Sequence, residues 1–328
     1  MTTQPQGLNL HSTTKEMSEI NTLNPKIAIL LCTFNGANFL KEQLESFISQ
    51  THENWVIYAS DDGSTDDTLK LLTRYQQILG NDRLVIFHGP RNGFAKNFLS
   101  LVKNQSIIAD YFAFSDQDDI WFADKLERSL AKIRAVSAAP ALYCSRTRLI
   151  SADKKIQGFS PLFSASPTFA NALVQSIAGA NTMLINSQAR DLLAQTPDDA
   201  VIVAHDWLTY LIITGCGGVV IYDHRPSLDY RQHGENLIGA NNSARERLVR
   251  IGRMWSGRFG EWSTHNLLIL RCFRHHLTAQ NQRAMDLFEQ ARKSPLFKRL
   301  YLMKKSGIHR QTLPGNISLF VAACLNKI

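Results

Sequence analysis

Nothing in this 328-residue chain is apolar for the roughly 18–20 residues that a bilayer-spanning helix needs. The longest candidate near its end, "ISLFVAACL", falls far short, so the chain is not expected to cross a membrane by itself. Cysteine is sparse: Cys32, Cys144, Cys216, Cys272 and Cys324 are scattered, odd in number and contain no CxxC pair. That excludes a disulfide framework and a cysteine-based zinc site, and fits a reducing compartment. The first strand-like run is followed by "TFNGANF", which lacks GxGxxG and so argues against a dinucleotide-binding enzyme. With one glycine and no nearby arginine, the loop also argues against a nucleotidyltransferase that grips a triphosphate. The start, "MTTQPQGLNLHSTTKEMSEINTLNP", has no apolar core; residues 1–24 read as a disordered tail rather than a signal peptide. Acid is scarce at the other end. Residues 241–328 carry 16 Lys+Arg against 4 Asp+Glu, whereas residues 1–240 carry 20 against 24.

What is present is a repeated alternation. "KIAILLC" reads as a strand buried on both faces, and "NFLKEQLESFISQ" follows with helical spacing. "WVIYAS", "RLVIFHG" and "DYFAF" read as three more strands. Each precedes a helical pattern: "TLKLLTRYQQIL", "GFAKNFLSLVKN" and "ADKLERSLAKIRAV". Four strand–helix units with short polar connections predict an α/β domain on a mostly parallel, Rossmann-like sheet, over residues 25–240. The alternation then breaks. "ALYCSRTRLIS" reads as one further strand, "TMLIN" as a short one, "VAHDWLTYLIITGC" as a helix, and "VVIYD" and "SLDYRQH" as later strands. Residues 241–328 read as a basic helical extension.

In such sheets ligands bind beyond the carboxyl ends of the strands, and the polar clusters fall there. "DQDD" places Asp116 and Asp118 two positions apart around a turn, where both can aim at one hard divalent cation, Mg²⁺ or Mn²⁺. Alone, such a triplet reads more readily as a solvated turn with helix-capping aspartates. "DDGSTDD" is a second acidic strand end, where Asp61 and Asp62 can accept from a nucleobase imide or ribose hydroxyls, while Ser64 or Asp66 caps the helix.

With those residues in view, "LLCTFNGANFLKEQLESFISQTHENWVIYASDDGSTDDTLKLL" resembles the start of a family 2 glycosyltransferase with the GT-A fold. "RNGFAKNF", "DQDDIW", "HDWLTYLI" and "YRQHGENLIG" agree in order, and the set resembles the bacterial rhamnosyltransferase-like branch, whose members build cell-surface polysaccharides. The resemblance covers about residues 26–240 and leaves the C-terminal region unmatched. It implies that Thr33, Asn35 and Asp61 or Asp62 line a nucleoside pocket, and that Asn92, Lys96 and Asn97 help hold the nucleotide sugar. Asp118 would ligate the metal with Asp116 nearer the ribose or donor sugar; Arg231 and His233 would face the diphosphate and metal. Asp206 would be the general base, its pKa raised by the apolar "WLTYLII" behind it. Trp121 and Trp207 read as core rather than as sugar-stacking faces. Gly179 in "AGANTMLIN" marks an acceptor-side wall or a turn.

The expectation is therefore an inverting, metal-dependent transferase. Its donor would be a dTDP- or UDP-sugar, rhamnose by resemblance, and its acceptor a cell-surface glycan or lipid-linked saccharide. The alternative is a nucleotide-sugar-binding or nucleic-acid-binding protein without transferase activity. Arginine-rich helices bearing Trp255, Phe259 and Trp262 suit that second partner, but the acidic first 240 residues do not. Nucleic acid is not expected; an anionic membrane surface is the expected partner of residues 241–328. The expected location is cytoplasmic, either free or peripheral on the inner face of the plasma membrane.

Overall fold

The structure, a computed structural model, describes residues 24–136, 138–232 and 258–328. Strand β1 (Ile27–Thr33) is buried at all seven positions, as is β2 (Trp55–Asp61), which is why both read as unbroken apolar runs. Helix α1 (Ala37–Ile48) follows β1, and α2 (Thr68–Leu79) follows β2. Then come β3 (Leu84–His88), α3 (Phe94–Lys103), β4 (Tyr111–Ser115), a two-residue β5 (Ile120–Trp121) and α4 (Lys125–Ile133). Next are β6 (Ala141–Ser145), β7 (Arg148–Ser151), β8 (Ile156–Phe159), α5 (Phe169–Ala172), β9 (Leu184–Asn186) and α6 (Ser187–Ala194). Helix α7 (His205–Gly215), β10 (Val219–Asp223) and β11 (Leu228–Gln232) complete the α/β part.

The main sheet has seven strands in the order β10-β6-β9-β4-β1-β2-β3, all parallel except β9, which runs against both β4 and β6. The first half, β3-β2-β1-β4, is the doubly wound layout expected from the alternation. Registers Thr33↔Asp61 and Leu31↔Ser115 bring the carboxyl ends of β1, β2 and β4 to one edge.

One expectation needs correction. "ALYCSRTRLIS" is not one strand but two, in different sheets. The Arg146 amide donates to the Asp223 carbonyl at 3.1 Å, the last residue of β10, and the chain then leaves the main sheet. Thr147 N–H donates to Ser160 Oγ at 3.0 Å, and Arg146 Nη2 to the Ser160 carbonyl at 2.7 Å, which folds β7 onto β8. The second sheet has the order β5-β11-β7-β8. It is formed largely of short, partly exposed strands whose apolar content gave no clean period.

After residue 257 come α8 (Arg258–Cys272), α9 (Ala279–Arg292), α10 (Leu296–Ser306) and α11 (Leu313–Cys324). Their apolar sides do not form a core of their own. One continuous cluster runs from Phe98, Phe112 and Phe114 under the sheet through Tyr210 and Ile212 to Phe273, Phe288 and Leu302. Asn281 Nδ2 donates to the carbonyls of Thr214 and Gly215 at 2.9 and 3.0 Å, holding α9 on the end of α7. The expected tail falls within residues 1–24, of which 1–23 lie outside the described residues.

Phe288 is fully buried in this shared core. Truncation to Ala is expected to cost about 3–5 kcal/mol. In urea, far-UV circular dichroism and tryptophan fluorescence are expected to shift together to a lower midpoint. Two separated transitions would show instead that the C-terminal helices unfold by themselves.

Candidate functional site

The end of β1 turns sharply. Asn35 has φ 48°, a left-handed conformation that asparagine tolerates better than most residues. Its amide donates to Ser64 Oγ at 2.8 Å, and its Oδ1 accepts from Thr65 N–H at 2.8 Å. The neighbouring amides of Gly36 and Ala37 donate to Thr68 Oγ1 and Asp66 Oδ2 at 2.8 and 3.0 Å. The β1 and β2 turns are therefore one unit, stitched by side chains onto backbone.

Asp61 and Asp62 divide their work. Asp61 accepts from Thr33 Oγ1 at 2.9 Å, Ser64 Oγ at 2.6 Å and Ser64 N–H at 2.8 Å, and so shapes its own turn. Asp62 reaches the next loop, accepting from the amides of Arg91 at 2.6 Å and Gly93 at 2.9 Å. Of the residues expected on the sugar side, Asn97 is buried and exchanges two hydrogen bonds with Ser60: hydroxyl to Oδ1 at 2.6 Å, and Nδ2 to carbonyl at 2.9 Å. Lys96 donates to the Asp198 carbonyl, and Asn92 is exposed on the turn before α3.

"DQDD" follows β4. Gln117 clamps the β1 loop: Phe34 N–H donates to its Oε1 at 2.8 Å, and its Nε2 donates back to the Phe34 carbonyl at 2.9 Å. A Cβ on Gly36 would stand 2.1 Å from Gln117 Oε1, so glycine is needed there for close approach. Asp119 points inward and accepts from Asn181 Nδ2 at 2.6 Å, which ties the "AGAN" segment to the acidic loop. Arg231 is almost wholly buried. Its guanidinium donates to the Asp118 carbonyl at 3.0 Å, the Ala152 carbonyl at 2.9 Å and Glu42 Oε2 at 2.5 Å. The geometry makes it a brace that sets the acidic loop against α1 and the β7–β8 turn. His233 lies outside the described residues.

Asp206 sits in the first turn of α7, its Oδ1 accepting from Trp207 N–H at 2.7 Å and its Oδ2 from Ser176 Oγ at 3.3 Å. Burial raises its pKa to about 6, against the pull of those two donors. Asp116 is raised to about 7, first by burial and then by the charges of Asp118 and Asp206. Each of the latter two is thus close enough to disfavour its ionisation. Asp119 is pushed well above the carboxylate range by burial and by Asp118 and Asp116. Trp121 and Trp207 are core: the first meets Phe47 edge-on at 4.6 Å, and the second donates to the Ala172 carbonyl at 2.6 Å.

The structure therefore gathers Asp116, Asp118 and Asp206 into one acidic field at the same sheet edge as the Thr33–Asp61 hydrogen bond. Among the described residues no three His, Cys, Asp or Glu side chains converge to enclose a metal. Two hard carboxylates two positions apart at the end of β4 still suit a divalent cation that completes its shell with water and phosphate oxygen.

Comparison with known proteins decides the class. The family model described as glycosyl transferase family 2 matches residues 28–164, which include all of β1 but its first residue, both acidic strand ends and the turns around them. Residues 28–164 form a family 2 glycosyltransferase domain. The dTDP-rhamnosyl transferase RfbG of Shigella flexneri is 28% identical over 237 residues, covering 68% of this chain and 78% of that one. An uncharacterized glycosyltransferase of Rickettsia typhi is 22% identical over 78% of each chain. Two solved structures share the GT-A fold. The S. aureus TarS fragment crystallised with UDP-GlcNAc superposes with TM-score 0.54 at 14% identity, over 92% of this chain and 90% of that one. A Pyrobaculum calidifontis mannosyltransferase, crystallised with GDP-Man and Mn²⁺, gives TM-score 0.51 at 14% identity over 93% and 86%.

Sequence reasoning passed over Gln117, Asn181, Ser176 and Glu42. Gln117 and Asn181 lie inside quoted motifs, but their partners are more than 60 positions away. In this glycosyltransferase the Gly36–Gln117 contact gives a direct test. Gly36→Ala and Gln117→Ala are each expected to cost about 1–2 kcal/mol through the loss of the same two hydrogen bonds. The double variant is expected to cost no more than one alone, because the second change finds the clamp already open. Additive losses in urea unfolding would show that the two residues act separately.

Proposed function

We propose that this glycosyltransferase inverts configuration as it moves a sugar, rhamnose being the candidate, from a nucleoside diphosphate to a hydroxyl of a glycan or lipid-linked saccharide. The carrying observation is the position and acidity of Asp206, a carboxylate with a pKa of about 6 at a helix start, within the electrostatic reach of Asp116. At neutral pH it is ionised yet basic enough to accept a proton, as a general base requires. Ser176 and the Trp207 amide fix its orientation.

The reaction is one displacement. The acceptor oxygen attacks the anomeric carbon, Asp206 takes its proton, and the bond to the β-phosphate oxygen breaks with its electron pair on the departing diphosphate. Asp116 and Asp118 are the residues proposed to hold a divalent cation; when bound, it supplies positive charge to the diphosphate oxygens. The Mn²⁺ beside GDP-Man in the mannosyltransferase of the same fold supports that assignment. Asp61 and Asp62, with their hydrogen bonds to Thr33, Ser64, Arg91 and Gly93, give the nucleoside pocket a fixed outline. A thymidine or uridine diphosphate is the proposed occupant, the former favoured by the name of the Shigella relative. The buried Arg231 contributes through the Asp118 carbonyl rather than as a phosphate ligand.

Asp206→Asn is expected to lower kcat by about 10²–10⁴-fold while leaving the diphosphate-induced thermal shift intact. Full turnover by this variant would remove Asp206 from the role of base. In the unaltered protein, protonation silences Asp206 below its raised pKa. The rate is therefore expected to climb about tenfold per pH unit up to about pH 6 and flatten above.

The donor is read from a thermal-shift panel of UDP, dTDP, GDP and ADP, with and without Mg²⁺ or Mn²⁺. At ~100-fold above Kd the preferred diphosphate should add about 2.7 kcal/mol of stability. A shift indifferent to metal would count against the cation on Asp116 and Asp118.

A further inference from the structure

After Glu289 the chain contains eight Lys and Arg and no Asp or Glu, and within that segment α11 (Leu313–Cys324) bears no charge at all. Its inner side, Leu319, Ala322 and Ala323, is buried. Its outer side is just as apolar: Leu313 is 75% exposed, Ile317 and Phe320 each 56%, and Val321 38%. Those positions are i, i+4, i+7 and i+8, one face of the helix. On α10 (Leu296–Ser306), Phe297 and Tyr301 stand 87% and 62% exposed, again four positions apart.

Arg299 Nη1 donates to the Ala323 carbonyl at 2.7 Å, joining the start of α10 to the end of α11 as an antiparallel hairpin. A helix on a water-facing surface ordinarily turns polar residues outward. Single exposed apolar side chains, such as Ile108 or Val201, are ordinary; a stripe of them over two consecutive helices marks a contact surface.

The charges say what kind. Arg292 and Arg299 are spent internally, on the carbonyls of Gly260 and Ile328 and of Ser294 and Ala323. Lys293, Lys298, Lys304 and Lys305 are exposed, with no acid in the segment to neutralise them. Apolar side chains accompanied by lysine match the boundary of an anionic bilayer, where ring and alkyl groups leave water and ammonium groups meet lipid phosphate. Among the described residues no helix is long and apolar enough to cross a membrane, so the contact is along the surface.

We infer that the α10–α11 hairpin is a docking surface for an anionic lipid bilayer, with Leu313, Ile317, Phe320 and Val321 at the headgroup–acyl boundary. This narrows the membrane contact expected of the whole basic region to one apolar face. It bears on the proposed transfer only by bringing the enzyme to lipid-linked acceptors, so its test reads binding and not turnover.

The full chain is co-sedimented with vesicles of phosphatidylcholine alone and of phosphatidylcholine mixed with phosphatidylglycerol. Strong binding to the mixed vesicles only is expected, weakening with salt. Ile317→Glu with Phe320→Glu is expected to lower partitioning by at least ~10-fold. Lys304→Glu with Lys305→Glu is expected to lower the preference for anionic lipid. Both double variants should keep the diphosphate-induced thermal shift of the parent, which shows that fold and donor site are intact. No binding by the parent chain, or equal binding by the Ile317/Phe320 variant, overturns the inference. So does a lipid-free dimer that this variant converts to monomer, which would give the face to a second copy of the chain.

Discussion

Carboxylates crowded at one edge of a parallel sheet must each find hydrogen-bond donors, a cation or a proton, and the architecture follows from how that demand is met. Parallel strands buried on both faces have no room for acid along their length. They displace it to their carboxyl ends, where β1, β2 and β4 stop together. Asp61 and Asp62 are met by backbone amides and hydroxyls, and in accepting from them they fix three loops at once. Among the described residues Asp116 has no such compensation: burial and the neighbouring carboxylates all push its pKa the same way. The first pair fixes the loops; among the described residues the second region carries an excess of acid. A diphosphate alone would worsen that imbalance, which is why a divalent cation belongs in the proposed chemistry.

Rigid support is the second requirement, because a carboxylate useful as a base must be held where its pKa is shifted. Asp206 combines an apolar helix behind it with a hydroxyl and an amide in front, and burial outweighs both donors. The acidic loop is held from three sides: by Gln117 on the β1 loop, by Asn181 on Asp119, and by Arg231 on the Asp118 carbonyl. Arginine suits the last task because its planar fork bonds several acceptors at fixed angles. Here those acceptors come from β4–β5, the β7–β8 turn and α1, elements far apart in sequence.

The alternation of strands and helices was legible because buried parallel strands leave continuous apolar runs, and so was the gathering of acid at their ends. Which polar side chain faces a ligand was not. Asn97, expected from "RNGFAKNF" to help hold the donor, exchanges hydrogen bonds with Ser60, and Arg231, expected to face the diphosphate, bonds the carbonyls of Asp118 and Ala152 and the Glu42 carboxylate. Such outcomes depend on partners tens of positions away, and no local spacing encodes them. The second sheet was hidden for a related reason. Its strands are two to five residues long, too short for a period, and "ALYCSRTRLIS" reads as continuous because the break at Arg146 is made by Asp223 and Ser160.

The C-terminal helices show the limit of composition as an argument. Sixteen cations against four acids suggest a uniformly basic face, but much of that charge is used within the fold. Arg274 pairs with Asp286 at 2.6 Å and Arg271 with Glu289 at 2.9 Å, while Arg292 and Arg299 bond to carbonyls. Exposed pairs of this kind add little stability, but they remove the cation from long-range attraction. What distinguishes the region is then not how basic it is but where it is apolar. Shared burial fixes α9 against α7, and α10 and α11 pack outside it with side chains that water does not favour. A fold that could have placed polar residues there at little cost in stability instead keeps Phe297, Ile317 and Phe320 exposed. Apolar side chains repeated at helical spacing along α10 and α11 argue for a contact outside the protein.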